Sequence, residues 1–199
     1  MASAKSRQAR GPRVKTGVLA RGEGGVLLSK SKVTRGSSKS AFQEFPLRYK
    51  RKAGVTSFVT RIHGAEPLQL IATERDGVAS VFVKDLASEL RIPSQRMFAI
   101  LGVPKATAEK KIAAGELLAG SGGRAALGIA RLLGMAQAMV DGSTAAAAAD
   151  FDTGRWLGEW LERPQPALGG RKPAELVDTP TGLAVVTRLL GAIESGAYQ

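Results

Sequence analysis

The 199-residue chain contains no cysteine. That excludes a disulfide framework, a thiolate metal site and a cysteine nucleophile, and it fits a reducing compartment. Histidine is nearly absent too: His63 is alone, and the sequence places no acid or hydroxyl partner beside it, so it is a bland surface or core residue rather than a general base or metal ligand. No apolar run approaches the roughly 18–20 residues of a membrane span. The opening MASAKSRQAR is not followed by the apolar core of a secretory signal, and a cytoplasmic location is expected. The glycine clusters GEGG (22–25) and GSGG (120–123) lack the preceding strand and following Lys-Ser/Thr of a phosphate loop. Asp150 and Asp152 lie close together, but a helix cap accounts for Asp152 without paired-acid chemistry. No catalytic residue, metal or cofactor is expected, which leaves a binding protein.

Acids are scarce in one part of the chain only. Residues 1–60 hold 14 Lys and Arg against Glu23 and Glu44, whereas residues 61–199 hold 15 of each sign, so the whole net charge of +12 belongs to the first third. A neutral body with a basic arm is the pattern of a chain that seeks phosphates, although anionic lipid or an acidic protein satisfies the same charge. From Met1 to about Ser40 the composition is Ser, Gly, Lys and Arg with scattered Val and Leu, too little apolar surface to offset ordering entropy. A largely disordered basic arm is therefore expected over residues 1–60. Residues 41–64 leave two readings open, since Phe42, Phe45, Leu47 and Tyr49 could pack, and VTSFVTRI fits both a strand and a helical face.

From Glu66 onward the signals are helical, in short segments punctuated by Gly and Pro. EPLQLIATERDG closes on Gly77, and ASVFVKDLASEL carries Val81, Phe82, Leu86 and Leu90. PSQRMFAILG and PKATAEKKIAAG start near Pro93 and Pro104 and end on Gly102 and Gly115. A longer helix is expected from about Arg124 to Val140, then DTGRWLGEWLER capped by Asp152, then TGLAVVTRLLGAIESG. No strand is expected after residue 65. Helices this short must pack against one another, so the fold class is all-α. Trp156 and Trp160, four apart, would share a helical face and are expected in the core.

Within this set, MFAILGVPKATAEKKIAAG (97–115) has the marks of a helix-turn-helix. Ala99 is small where the second helix would cross the first, Gly102 permits the turn, and Val103 with Ile112 pins the second helix. Lys105, Thr107, Lys110 and Lys111 then face outward as candidate DNA contacts, the first two reaching base edges or phosphates and the last two phosphates. An ordinary hairpin with a solvated lysine face is the competing reading.

The densest pattern lies in GRWLGEWLERPQPALGGRKPAELVDTPTGLAVVTRLLGAIESGAY, residues 154–198. Trp160-Leu161, Pro164, then Ala167 through Gly170, Pro173, Leu176-Val177, Thr179 and Gly182 follow one another at fixed spacing, and Ile193, Glu194, Gly196 and Tyr198 close the stretch. This resembles the C-terminal toxin-binding domain of Xre/ParS/MbcA-type antitoxins of RES-Xre toxin-antitoxin systems, and residues 66–140 resemble the helix-turn-helix domain that precedes it there. Gln165 stands where Asn is common, Ala192 where a basic residue is common, and the basic extension is long for the family. After the basic arm expected over 1–60 from composition, the resemblance implies an Xre-like helix-turn-helix domain over 61–140 and a small helical toxin-binding domain over 141–199. It also implies an antitoxin that neutralises a RES-domain, NAD-consuming toxin and represses its own operon by binding operator DNA, as a homodimer is expected to do. Leu168, Gly169, Gly170, Glu194 and Tyr198 are the expected toxin contacts; the prolines and glycines of PQPALGG would fix one preorganised shape. A stand-alone DNA-binding regulator or nucleoid protein whose C-terminal domain only dimerises is the alternative.

Overall fold

A helix that is apolar or small on all but one narrow face has to be largely enclosed by others, and GGRAALGIARLLGMA, in which only Arg124 and Arg131 are charged, builds one. The computed structural model describes residues 45–143 and 150–194, the last of them by its backbone only. In it this stretch is the middle of α6, Gly120–Asp141, whose Ala126, Ile129, Ala130, Leu132 and Leu133 are fully enclosed. Around it pack α1 (Gly54–His63), α2 (Pro67–Asp76), α7 (Thr153–Leu161) and α8 (Pro180–Glu194). A second layer of α3 (Ser80–Glu89), α4 (Ser94–Ile100) and α5 (Lys105–Ala114) is held to the core by Phe82, Leu86, Leu90, Met97 and Leu101, all buried. The described residues are predominantly helical, as the sequence predicts.

The punctuation read from sequence ends these helices as expected. Gly102 takes φ 65°, its N–H donates to the Ala99 carbonyl, and the Val103 N–H donates to the Phe98 carbonyl, which is the double bond of a Schellman stop. Asp152 caps α7 by accepting from the Arg155 N–H at 2.9 Å.

Three expectations need correction. First, residues 45–60 fall within the expected arm, yet Leu47, Phe58 and Val59 are buried and α1 runs through the expected boundary. The open choice at VTSFVTRI resolves as helix because Phe58, Val59 and Ile62 form one apolar stripe facing α6. The segment before it is strapped down by long-range bonds: the Leu47 N–H donates to Thr73 Oγ1 at 2.8 Å, and the Tyr49 hydroxyl donates to Asp85 Oδ2 at 2.7 Å. Burial and that bond push the Tyr49 hydroxyl well above its ordinary pKa. The remainder of the expected disordered arm lies outside the described residues. Second, β1 (Val78–Ala79) pairs antiparallel with β2 (Leu117–Leu118), Val78 opposite Leu118; two-residue strands are too short to show a period. Third, Ala99 is exposed rather than at the helix crossing, and the buried small residue is Ala108 of α5.

No gap separates the two expected modules. α6 supports α1 and α2 as well as α7 and α8, and the described residues belong to one compact unit.

Candidate functional site

On α5 the side chains of Lys105, Thr107 and Lys110 are exposed and that of Lys111 is half-buried. The helix presents a polar face, but its charge is partly spent. Lys111 Nζ lies 2.9 Å from Glu116 Oε2, a hydrogen bond that holds the Glu116 carboxyl below its ordinary range, and Lys105 Nζ lies 4.0 Å from Glu109 Oε1. Lys110 has no ion pair among the described residues.

The second surface follows α7. Trp160 and Leu161 are buried, Trp156 stacks on Trp160 with ring centroids 6.2 Å apart, and Phe151 reaches Trp156 at 6.1 Å. The chain then makes a closed loop. The Gln165 N–H donates to the Arg171 carbonyl at 3.0 Å, and between them Pro166–Leu168 form one 3-10 turn. The Gln165 carbonyl accepts from both Leu168 and Gly170 at 3.0 Å, and the Gly169 N–H donates to Pro166 at 2.9 Å. Gly169 and Gly170 take φ of 64° and 81°, with no atom within 4 Å of where a Cβ would stand. They are glycine because of backbone conformation, not crowding. Pro166, Ala167, Gly169 and Gly170 are exposed while Leu168 packs against the core. Further on, Thr179 Oγ1 accepts from the Gly182 N–H at 3.1 Å and so caps α8, with Pro180 in its first position.

Residues 135–196 match the family described as the antitoxin Xre/MbcA/ParS C-terminal toxin-binding domain. Over 137 residues the chain is 37% identical to the "Prs ADP-ribosylating antitoxin" of Sphingobium sp. (strain YBL2), covering 69% of this chain and 85% of that protein. The chain belongs to the Xre/MbcA/ParS antitoxin family. It is an antitoxin of a toxin-antitoxin system, and its toxin-binding domain contains the Gly-Gly loop and α8.

Leu168, Gly169 and Gly170 come together in this loop, and Glu194 is the last residue of α8. Tyr198 lies outside the described residues. The fit of the W-L and T-x-x-G elements has a physical reason: the first fills the core, and the second is an N-cap with its partner. One group escaped the sequence. Glu162, just after α7, meets Arg96 of α4 at 2.6 Å and Lys172 at 3.3 Å, and the Arg96 hydrogen bond, followed by that of Lys172, holds its carboxyl below the ordinary range. No local pattern announces residues 66 apart. Among the described residues no helix is long and apolar enough to cross a membrane.

Proposed function

We propose that the antitoxin neutralises a RES-domain toxin that consumes NAD, and that it does so by presenting Leu168, Gly169, Gly170, Glu194 and Tyr198 at the toxin. The observation that carries this is the loop: its backbone is tied by its own hydrogen bonds, yet its tip faces outward. Such a segment has little entropy left to lose on association. The name of the Sphingobium relative links that protein to ADP-ribosylation, a reaction that draws its ADP-ribose from NAD and so supports an NAD-consuming partner. We further propose that the chain binds its own operator as a homodimer through Lys105, Thr107, Lys110 and Lys111, in a cytoplasmic setting; the exposed α5 supports this, and the Glu109 and Glu116 pairs reduce the charge it offers.

The deciding experiment titrates the antitoxin into the purified toxin encoded beside its gene and follows NAD consumption. Gly169→Asn and Gly170→Asn keep a residue that tolerates the left-handed conformation while adding a side chain at the tip. With a chain ending at Gly196 as a third variant, inhibition is expected to weaken by about 1–3 kcal/mol where an anchor is lost, with cooperative folding kept and only a small fall in melting temperature for the two asparagine variants. Full inhibition by all three would refute the reading.

A further inference from the structure

Three of the four large apolar side chains that stand exposed among the described residues gather at α2. Leu68 and Ile71 are 45% and 41% exposed, and with the exposed Arg75 they fall at i, i+3 and i+7, one side of a helix. The other side is turned to the core through Leu70 and the buried Thr73. Phe45, 69% exposed, stands beside the helix, since its carbonyl accepts from Gln69 Nε2 at 3.4 Å. This face belongs neither to α5 nor to residues 135–196, the matched toxin-binding domain. Its charges are divided between the two ends. Glu66 stands just before the helix and Arg75 in its last turn; both are exposed, and neither forms an ion pair among the described residues.

We propose, resting on the homodimer reading above, that this face is the surface through which two copies of the chain pair, with α2 of one lying antiparallel on α2 of the other. A two-fold axis near Ile71 sets Ile71 against its copy with Leu68 alongside, and it brings Arg75 of each protomer to Glu66 of the other. A contact between identical patches has to be self-complementary in this way. An apolar middle with an acid at one end and a base at the other meets that condition when one copy is reversed, and Phe45 extends the apolar area at the edge. Charge and direction of the chain select a second copy over other occupants. Duplex DNA would set phosphates against Leu68 and Ile71 and gain nothing from them. The antitoxin's own N-terminal part is led elsewhere: the strap runs in the same direction as α2, with Phe45 at Gln69, Leu47 at Thr73 and Arg48 at Asp76. The chain thus comes onto α2 from its N-terminal end, not across Leu68 and Ile71.

The test follows the mass of the full chain by sedimentation over a concentration series, with circular dichroism as the control for folding. Leu68→Glu with Ile71→Glu should leave the helix content in place, since both side chains are exposed, and should yield a monomer. Glu66→Arg and Arg75→Glu should each weaken self-association by about tenfold, because each homodimer then holds two like-charge contacts. An equimolar mixture of those two single variants should associate more tightly than either alone, and Glu66→Arg/Arg75→Glu in one chain should recover the wild-type dimer; only a two-fold pairing of this face gives both recoveries. If the wild-type chain stays monomeric at every concentration, the homodimer reading and this proposal fall together. If the wild type is a dimer and the Leu68→Glu/Ile71→Glu variant is an equally tight one, the α2 contact falls and the homodimer reading stands. Loss of toxin affinity in that variant with the dimer intact would give the face to the toxin and overturn the proposal as well.

Discussion

Arg96 on α4 and Glu162 at the end of α7 form a two-pronged pair: Nε donates to Oε1 at 2.6 Å and Nη2 donates to Oε2 at 3.1 Å. The same Oε2 accepts from Lys172, just past the Gly-Gly loop, at 3.3 Å. One carboxylate thus joins α4 to both ends of the loop. The contact is reinforced where Gly154 and Gly158 let α7 lie directly on the carbonyls of Glu89 and Leu90 at the end of α3. The two surfaces of the antitoxin are therefore built on one rigid support rather than on hinged domains.

Removing that carboxylate charge has a signed pH signature. Because Arg96 and Lys172 lower the Glu162 pKa from its ordinary 4.5, the folded state binds the Glu162 proton less readily than the unfolded chain does. Its stabilisation is complete above pH 4.5 and is lost as the pH falls through the depressed folded value. Partial exposure of the pair screens it, so Glu162→Gln should cost about 1 kcal/mol at neutral pH. Urea unfolding of both proteins across the acidic range checks this: the gap should be constant from about pH 7 to about 5 and narrow below about pH 4.5. A gap that persists undiminished in acid would mean that the Glu162→Gln change costs packing, not charge.

What the sequence made legible was local. Pro93, Gly102, Pro104 and Gly115 mark helix ends because each acts within one turn, and Asp152 caps α7 through a neighbour three residues on. The loop pattern was legible for the same reason, since Thr179 caps the N–H of Gly182 three residues on, and Gly169 and Gly170 take the left-handed φ of the turn they occupy. The strap over residues 45–50 was not, because Leu47 and Tyr49 are ordered by Thr73 and Asp85, 26 and 36 positions away. Nor could the lysine count of α5 reveal that Glu116, outside the helix, had taken Lys111.

Truncation should expose the strap. Among the described residues the buried core begins at Leu47, so a chain starting at residue 45 should keep its melting temperature. A chain starting at residue 61 loses Leu47, Phe58 and Val59, each fully enclosed apolar side chain being worth about 1.5–3 kcal/mol. It should be unfolded or aggregated by circular dichroism. Cooperative unfolding of the shorter chain at an unchanged temperature would show that α1 is dispensable.

If α5 binds DNA, its lysines should not contribute equally. Lys110 forms no ion pair among the described residues, whereas Lys105 and Lys111 do. Lys110→Ala should therefore weaken promoter binding more than Lys111→Ala. Glu116→Gln should strengthen binding by freeing Lys111, and each additional phosphate neutralised should steepen log affinity against log salt by about 0.9. Fluorescence anisotropy on a promoter fragment over a salt series measures both. An intact affinity in the Lys105→Ala/Lys110→Ala/Lys111→Ala variant would remove α5 from the DNA surface.

Two glycine-to-alanine changes should separate crowding from conformation. At Gly158 a Cβ would overlap the Leu90 carbonyl oxygen, and a backbone atom at the end of α3 cannot swing aside as a flexible side chain would. α7 has to move off α3, which should cost about 3 kcal/mol and disturb the Arg96–Glu162 pair with it. At Gly169 nothing lies within 4 Å, but φ is 64°, so alanine meets only the left-handed penalty of about 1 kcal/mol. Urea midpoints rank the two. Asparagine in place of Gly169, which enters that conformation more cheaply, should recover part of the smaller loss, whereas no larger residue should be tolerated in place of Gly158. Equal costs at the two positions would mean that α7 and α3 have slack between them, and the rigid support would have to be abandoned.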